Sequence, residues 1–352
     1  MNNNIAGKSI LFITQSFYEY DIKIRDTLLS LGAKSVYMKN SKYFAGDIRN
    51  GFSLHTVEAW IRNPNAERRW LLSFKKEIKD LHFDTLFVLG DLYFPKQLLF
   101  WLRRINPGIR MVLFLWDTLK MHLSGYTSLL PLFDKVYSFD RGDAAKFKFE
   151  YYPDFYIEKQ RASHDKLYYD LSVIMTIRAE NTCFRGQIVE KLWHECKSKG
   201  LNAYFYIRSS YEKRKIVMWY RNHIHMDRFK KAIECCKKVG VLHQEDLPLD
   251  DYYSVIASSK AILDVQYHER QGLTMNVINA IGNGIKLITT NRRIVEEPFY
   301  DPAMIYVIDE ENPVLDKSFF DVPSKSVDIS YLRIDNWLMH ILGENDGVKI
   351  TN

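Results

Sequence analysis

The clearest chemistry in the chain lies between Ser259 and Asn291. A short apolar run, Ser259-Lys260-Ala261-Ile262-Leu263-Asp264, leads into the polar loop Tyr267-His268-Glu269-Arg270-Gln271-Gly272-Leu273-Thr274. A helical pattern to Ile281 follows, then a second apolar run, Lys286-Leu287-Ile288-Thr289-Thr290-Asn291. Glycine at 272 lets backbone approach a ligand, and Thr274 is of the type that caps a helix through its hydroxyl. The free N–H groups and dipole of such a helix start suit an anion, and a diphosphate in particular. The same spacing also serves an ordinary strand–loop–helix turn. His268, on the loop, has the chemistry to touch a phosphate or a sugar, or to be merely solvated.

Other side chains of catalytic type do not assemble by spacing. His223 and His225 stand two apart with no third ligand in view, so no metal site is expected. The four cysteines, Cys183, Cys196, Cys235 and Cys236, include no CxxC pair, and they read as reduced thiols.

Residues 208–238 hold ten Lys and Arg against Glu212, Asp227 and Glu234, a local excess of seven positive charges where the whole chain has +6. Ile216, Val217, Met218, Trp219, Tyr220 and Phe229 are interleaved with them. That mixture fits an amphipathic segment lying on an anionic membrane surface, and equally a solvated helix with its own buried face. No recognition motif accompanies the charge, so nucleic acid is not the expected partner.

The elements that must hold these residues are written in the hydrophobic pattern. With 352 residues, 47% hydrophobic and 26% charged, the chain has the composition of a folded protein of about two domains, neither fibrous nor disordered. Its opening residues lack a basic signal region, and its longest apolar runs, such as Met111 to Trp116, have strand length; a cytoplasmic protein without a membrane span is expected. Strands are predicted at 9–14, 35–38, 84–89, 111–116 and 135–139, with helices at 20–31, 54–61, 67–81 and 95–105. After a polar stretch at 156–166 the alternation restarts: strands at 171–177, 203–207, 261–265, 286–290 and 304–308, and a helix at 184–199. The expected fold is α/β, with two Rossmann-like doubly wound domains facing across a cleft. The first occupies 1–160 and the second 161–328. Residues 329–352 provide a last helix, 329–342, that packs back on the first domain, and a tail.

Several motifs, in order, resemble one family. They are Ile13-Thr14-Gln15-Ser16-Phe17-Tyr18-Glu19-Tyr20, Gly90-Asp91, Leu115-Trp116-Asp117-Thr118, Phe133-Asp134-Lys135-Val136-Tyr137-Ser138-Phe139-Asp140 and Tyr152-Pro153-Asp154-Phe155-Tyr156. The Gln271-Gly272-Leu273-Thr274 stretch, Gly282-Asn283-Gly284, the run from Lys286 to Asn291 and the pair Phe299-Tyr300 continue the series. Together they resemble the bacterial lipopolysaccharide and capsular polysaccharide glycosyltransferases of the GT-B fold, over nearly the whole chain.

The resemblance implies transfer of a sugar from a nucleotide-sugar co-substrate to a hydroxyl of a lipid-linked surface saccharide, with no metal and no bound cofactor. The second domain would hold the donor and the first the acceptor, with the protein peripheral at the inner membrane through 208–238. A metal-free site must neutralise the leaving diphosphate with cations and backbone donors. Arg178 or Arg185, beyond the first strand of the second domain, and the start of the helix at Gly272, Leu273 and Thr274 are assigned to that task, with Gln271, His268, Arg270 and Lys286 beside them. A general base must take the acceptor proton. Asp91 ranks first, then Asp117, with Glu19 third, each following a strand of the first domain; the bland role of such acids is to cap the next helix.

Two positions depart from the family. Asn279 stands where a glutamate commonly binds the donor ribose, and Met175 where a glycine commonly opens the site. A side chain at 175 is expected to narrow the pocket. Together the departures leave two options, an altered donor or a pocket that no longer turns over, and they favour, as the alternative function, a non-catalytic GT-B relative that binds a sugar nucleotide or glycan within an assembly complex.

Overall fold

The computed structural model describes residues 5–14, 19–40, 66–90, 95–119, 129–158, 167–177, 184–209, 223–266 and 271–343. The predicted helix at 54–61 lies outside them. The chain divides into two compact units, Met1–Asp154 with Tyr331–Asn352, and Phe155–Ser330.

The first unit is built on a six-stranded parallel sheet in the order β2-β1-β3-β4-β5-β6, where β1 is Ser9–Thr14, β2 Ser35–Asn40, β3 Thr85–Leu89, β4 Arg110–Leu115, β5 Lys135–Ser138 and β6 Glu150–Tyr151. Its strands are nearly continuous runs of buried residues because helices cover the faces, as a parallel sheet requires. Residues of one parity, Leu11, Ile13, Leu86, Val88, Met111 and Leu113, pack under helices α2, Ala66–Ile78, and α3, Lys96–Ile105. Phe12, Phe87 and Phe114 point to the other face, where Phe12 stacks on Phe87 and Phe114 meets Trp337 edge-on at 4.7 Å. Helix α1, Tyr20–Ser30, follows β1, and α4, Arg141–Phe147, follows β5 under an Asp140 cap.

Residues 329–342 do not form one helix. A 3-10 turn at Ser330–Leu332 is separated from the terminal helix Ile334–Leu342 by Arg333, which is extended and stands at the N-cap position without a side-chain cap bond. The Arg333 guanidinium grips Asp335 with two hydrogen bonds of 2.8 and 2.9 Å, fixing that start. This helix belongs to the first unit: buried Trp337 donates to the carbonyl of Pro153 at 2.9 Å, and Arg110 donates to the carbonyl of Leu342 at 2.6 Å.

The second unit has a parallel sheet in the order β12-β11-β10-β7-β8-β9, with β7 Tyr169–Thr176, β8 Ala203–Arg208, β9 Leu242–His243, β10 Ser259–Asp264, β11 Lys286–Thr289 and β12 Ile305–Val307. Counted within the unit, that is the doubly wound order 3-2-1-4-5-6. Helices α5, Arg185–Lys199, and α6, His223–Lys238, pack against each other and against Leu171, Val173, Ala261 and Leu263. They approach closely at Gly186, where a Cβ would lie 2.5 Å from the backbone of Ala232. Helix α7, Leu249–Ala257, leads into β10, and α8, Met275–Gly282, packs on β10 and β11.

Two expectations change here. Within residues 208–238, α6 spends its apolar side on its own core through Phe229, Ala232, Ile233 and Cys236, so that side is not offered to a bilayer. The apolar residues 216–220 lie outside the described residues. Met175 shares parity with Leu171 and Val173 and packs against the α5–α6 core, so its side chain does not narrow a ligand site on the opposite face.

Candidate functional site

In the second unit the sheet order reverses between β7 and β10, and open parallel sheets bind ligands beyond the carboxyl ends of the strands at that point. Arg185, the first residue of α5, sits there. Its guanidinium donates to the carbonyl of Thr176, which ends β7, at 3.3 Å, and to that of Val265, just past β10, at 2.6 Å. The fork of donors ties the two strand ends together and leaves a fixed positive charge at the switch point.

Beyond β10 the chain reaches α8 through a loop fastened from several sides. Thr274 caps the helix, its Oγ1 accepting from the Val277 amide at 3.3 Å, and donates its own proton to Oδ1 of Asp264 at 2.8 Å. Asp264 is 4% exposed. The Gln266 amide donates to Oγ1 of Thr290 at 2.9 Å, and its carboxamide donates to the carbonyl of Gly272 at 3.2 Å. Gly272 and Leu273 are buried. Tyr252 of α7 donates to Oδ1 of Asn276 in the first turn of α8 at 2.8 Å. Burial, and then the neighbouring Tyr253 and Asp264, raise the Tyr252 phenol well above its ordinary range, so it remains a donor.

Gln271 is exposed and accepts from the Arg293 guanidinium at 2.6 Å. Arg293 belongs to a 3-10 turn, Arg292–Glu296, capped by Asn291 after β11. The carboxyl edge thus carries two arginines, Arg185 and Arg293, beside a capped helix start, an arrangement able to hold a diphosphate.

Not every residue assigned from the sequence belongs to it. Lys286 is the correction: it opens β11 at the opposite, amino end, is 1% exposed, and its ammonium is spent on the carbonyls of Phe319 and Val322 over the Phe319 ring. Asn279 is likewise 1% exposed, and its Oδ1 accepts from the Ile157 amide at 3.4 Å while Asn283 donates to the Ile157 carbonyl at 3.2 Å. The two asparagines clamp one peptide unit. Gly282 has a related reason: a Cβ there would meet the Tyr156 ring at 2.4 Å. Arg178, His268 and Arg270 lie outside the described residues.

In the first unit the order reverses between β1 and β3. Glu19 stands before α1 in a left-handed conformation, φ 58°, a strained setting for a residue with a side chain. Asp117 follows β4 and is half-buried, next to Trp116, which meets Tyr20 edge-on at 5.8 Å. Asp91 lies outside the described residues. Sequence reasoning passed over Asp21, in the first turn of α1. It is 6% exposed, and its Oδ1 has no hydrogen-bond partner among the described residues. In the sequence it reads only as an acidic residue favoured by a helix dipole. Asp264 and Arg293 were also missed as participants, though Asp264 stands inside the motif stretch and Arg293 two residues past its end.

Among the described residues no cluster of His, Cys, Asp and Glu could hold a metal ion, and no helix is long and apolar enough to cross a membrane. Cys196, Cys235 and Cys236 are buried free thiols whose pKa values burial pushes up to about 12, 11 and 12.

No protein-family model matches the chain, and no curated protein matches it by sequence. Solved structures do match in fold. A UDP-N-acetylglucosamine 2-epimerase from Listeria monocytogenes is 13% identical, with 95% of this chain and 94% of that one covered and a TM-score of 0.52. The trehalose-6-phosphate synthase OtsA is 10% identical over 94% of this chain and 97% of that one, with a TM-score of 0.56. S. aureus MnaA, solved with UDP, is 12% identical over 91% and 92%, with a TM-score of 0.50. The fold is therefore the two-domain α/β architecture of GT-B enzymes.

Proposed function

We propose that the protein is a nucleotide-sugar-dependent glycosyltransferase whose second unit holds the donor. The observation that carries the reading is Arg185 bridging the ends of β7 and β10 beside the capped start of α8. In transfer, the sugar leaves a nucleoside diphosphate, and charge builds on the departing phosphate. Arg185, Arg293 and the backbone of the Gly272 to Thr274 turn meet that charge without a metal. The fold likeness to a protein named for UDP-sugar chemistry, and to another solved with UDP, supports a nucleotide sugar as the ligand. The first unit would bind the acceptor, a hydroxyl on a lipid-linked surface saccharide. Its carboxylates Asp91, Asp117, Glu19 and Asp21 are the candidates for the base.

A second reading, a GT-B relative that binds without turning over, is favoured by the burial of Asn279 at a position where a ribose-binding carboxylate would be expected. One experiment separates the two. Thermal stability is measured against UDP-, GDP-, CMP-, ADP- and dTDP-sugars, with nucleotide release assayed on any hit in the presence of acceptor-bearing membrane extract. A ligand at ~100 times its Kd adds about 2.7 kcal/mol. A shift with release supports the transferase, a shift without release supports the binder, and no shift refutes both. Arg185→Lys keeps the charge but not the fork, and is expected to weaken the stabilising nucleotide about tenfold.

A further inference from the structure

On the outer side of the first unit, two apolar side chains stand where a folded protein usually keeps polar ones. Leu72 of α2 is 56% exposed and Phe100 of α3 is 54% exposed. The inward sides of both helices are already satisfied: Phe74, Ile78, Leu98, Leu99 and Leu102 are buried in one core on one face of the sheet. Leu72 and Phe100 therefore share the solvent side of the same helical layer.

Their neighbours on the helix surface are not random. Positions three and four away on an α-helix are the ones that surround a side chain. Around Leu72 those four positions are Arg68, Arg69, Lys75 and Lys76. Around Phe100, three of the four are Lys96, Arg103 and Arg104, the fourth being Gln97. The two rings of cations are joined, since the Lys75 ammonium lies over the Trp101 ring, 5.4 Å from its centroid. Glu77 is the one acid with a described side chain on the two helices, and it is paired with Lys39. Of the cations around Phe100, Arg103 is already paired with Asp134 at 2.8 Å, which leaves Lys96 and Arg104 as that ring's contribution to the surface.

We propose that the α2–α3 surface docks on an anionic bilayer, with Leu72 and Phe100 entering the acyl boundary and the surrounding cations meeting lipid phosphates. Charge alone would suit any polyanion. An apolar side chain at the centre of each cationic ring gains nothing on a nucleic-acid backbone, but gains burial in a membrane interface. This surface concerns where the protein works, and it stands independently of the donor reading. It also moves the membrane contact away from 208–238, where the described apolar face is buried.

The test is co-sedimentation of the full chain with vesicles of phosphatidylcholine alone and of phosphatidylcholine with phosphatidylglycerol. Binding is expected only to the anionic vesicles. Leu72→Ser with Phe100→Ser should weaken it about tenfold, and Arg68→Gln, Arg69→Gln, Lys76→Gln and Arg104→Gln together about fivefold per charge. All six positions are exposed, and unchanged melting temperatures check that the variants fold. A Lys213→Gln, Arg214→Gln, Lys215→Gln variant should bind as the parent does. The proposal is overturned by a parent that ignores anionic vesicles. It is equally overturned by binding that survives loss of Leu72 and Phe100, or by binding abolished in the 213–215 variant while the α2–α3 variants retain it.

Discussion

Thr274 donates its hydroxyl proton to Oδ1 of Asp264 at 2.8 Å while the same oxygen caps helix α8. One side chain therefore joins the end of β10 to the start of the helix that follows it and sets the turn between them. Asp264 is buried, so the bond matters beyond its own strength: removing the hydroxyl leaves a buried carboxylate oxygen with one donor fewer.

Thr274→Val, nearly the same shape, should cost about 1 kcal/mol for the cap and about 1–3 kcal/mol for the lost donor. Thr274→Ser should keep most of both. Chemical denaturation of the two variants checks this, with nucleotide affinity expected to fall in the valine protein and to hold in the serine protein. Equal stability of all three would mean that the turn is set by other bonds.

Lys286 gives the opposite contrast. Its ammonium binds the carbonyls of Phe319 and Val322, far along the chain from the turn at Thr274. Lys286→Met should destabilise by about 2 kcal/mol, because two carbonyls lose their donor. Donor-nucleotide affinity should stay within about twofold of the parent. A large loss of affinity in a protein of unchanged stability would return Lys286 to the donor site.

Asp21 is tested by separating stability from turnover. Its Oδ1 lacks a partner among the described residues, so Asp21→Asn should alter stability by less than about 1 kcal/mol. As the base for the acceptor hydroxyl it should matter far more, and kcat should fall about a hundredfold or more with nucleotide affinity unchanged. Full activity in the asparagine variant would leave the role to Glu19, Asp91 or Asp117.

These residues show what sequence could and could not convey. The long strands of both sheets are legible because parallel strands covered on two faces read as unbroken apolar runs, and the Thr274 cap is legible because it is local. The two-residue edge strands β6 and β9 were missed because so short a segment carries no pattern. The settings of Lys286 and Asn279 were not legible because their partners lie far along the chain: Phe319 and Val322 for one, Ile157 for the other. No local pattern announces such pairs. Met175 was misread for want of parity, since a one-residue difference in a strand moves a side chain to the other face. Arg185 follows β7 as the sequence pattern places it, but its bond to Val265 joins elements that only the sheet order brings together.

His340, in the terminal helix of the first unit, makes stability depend on pH. It stacks on Tyr152, ring centroids 3.9 Å apart and nearly coplanar at 7°. Burial first, and then the charge of Lys135, lower its pKa below the ordinary 6.5, with Glu150 opposing. The folded state thus resists a proton that the unfolded chain accepts. Stability is full above the ordinary value and falls as pH drops through it, with a slope of up to about 1.4 kcal/mol per pH unit, until the folded pKa is reached. His340→Phe keeps a ring to stack on Tyr152 but cannot titrate. Melting temperature measured between pH 7.5 and 5.5 should decline in the parent and decline less in the phenylalanine protein; parallel curves would mean that His340 takes its proton as readily folded as unfolded.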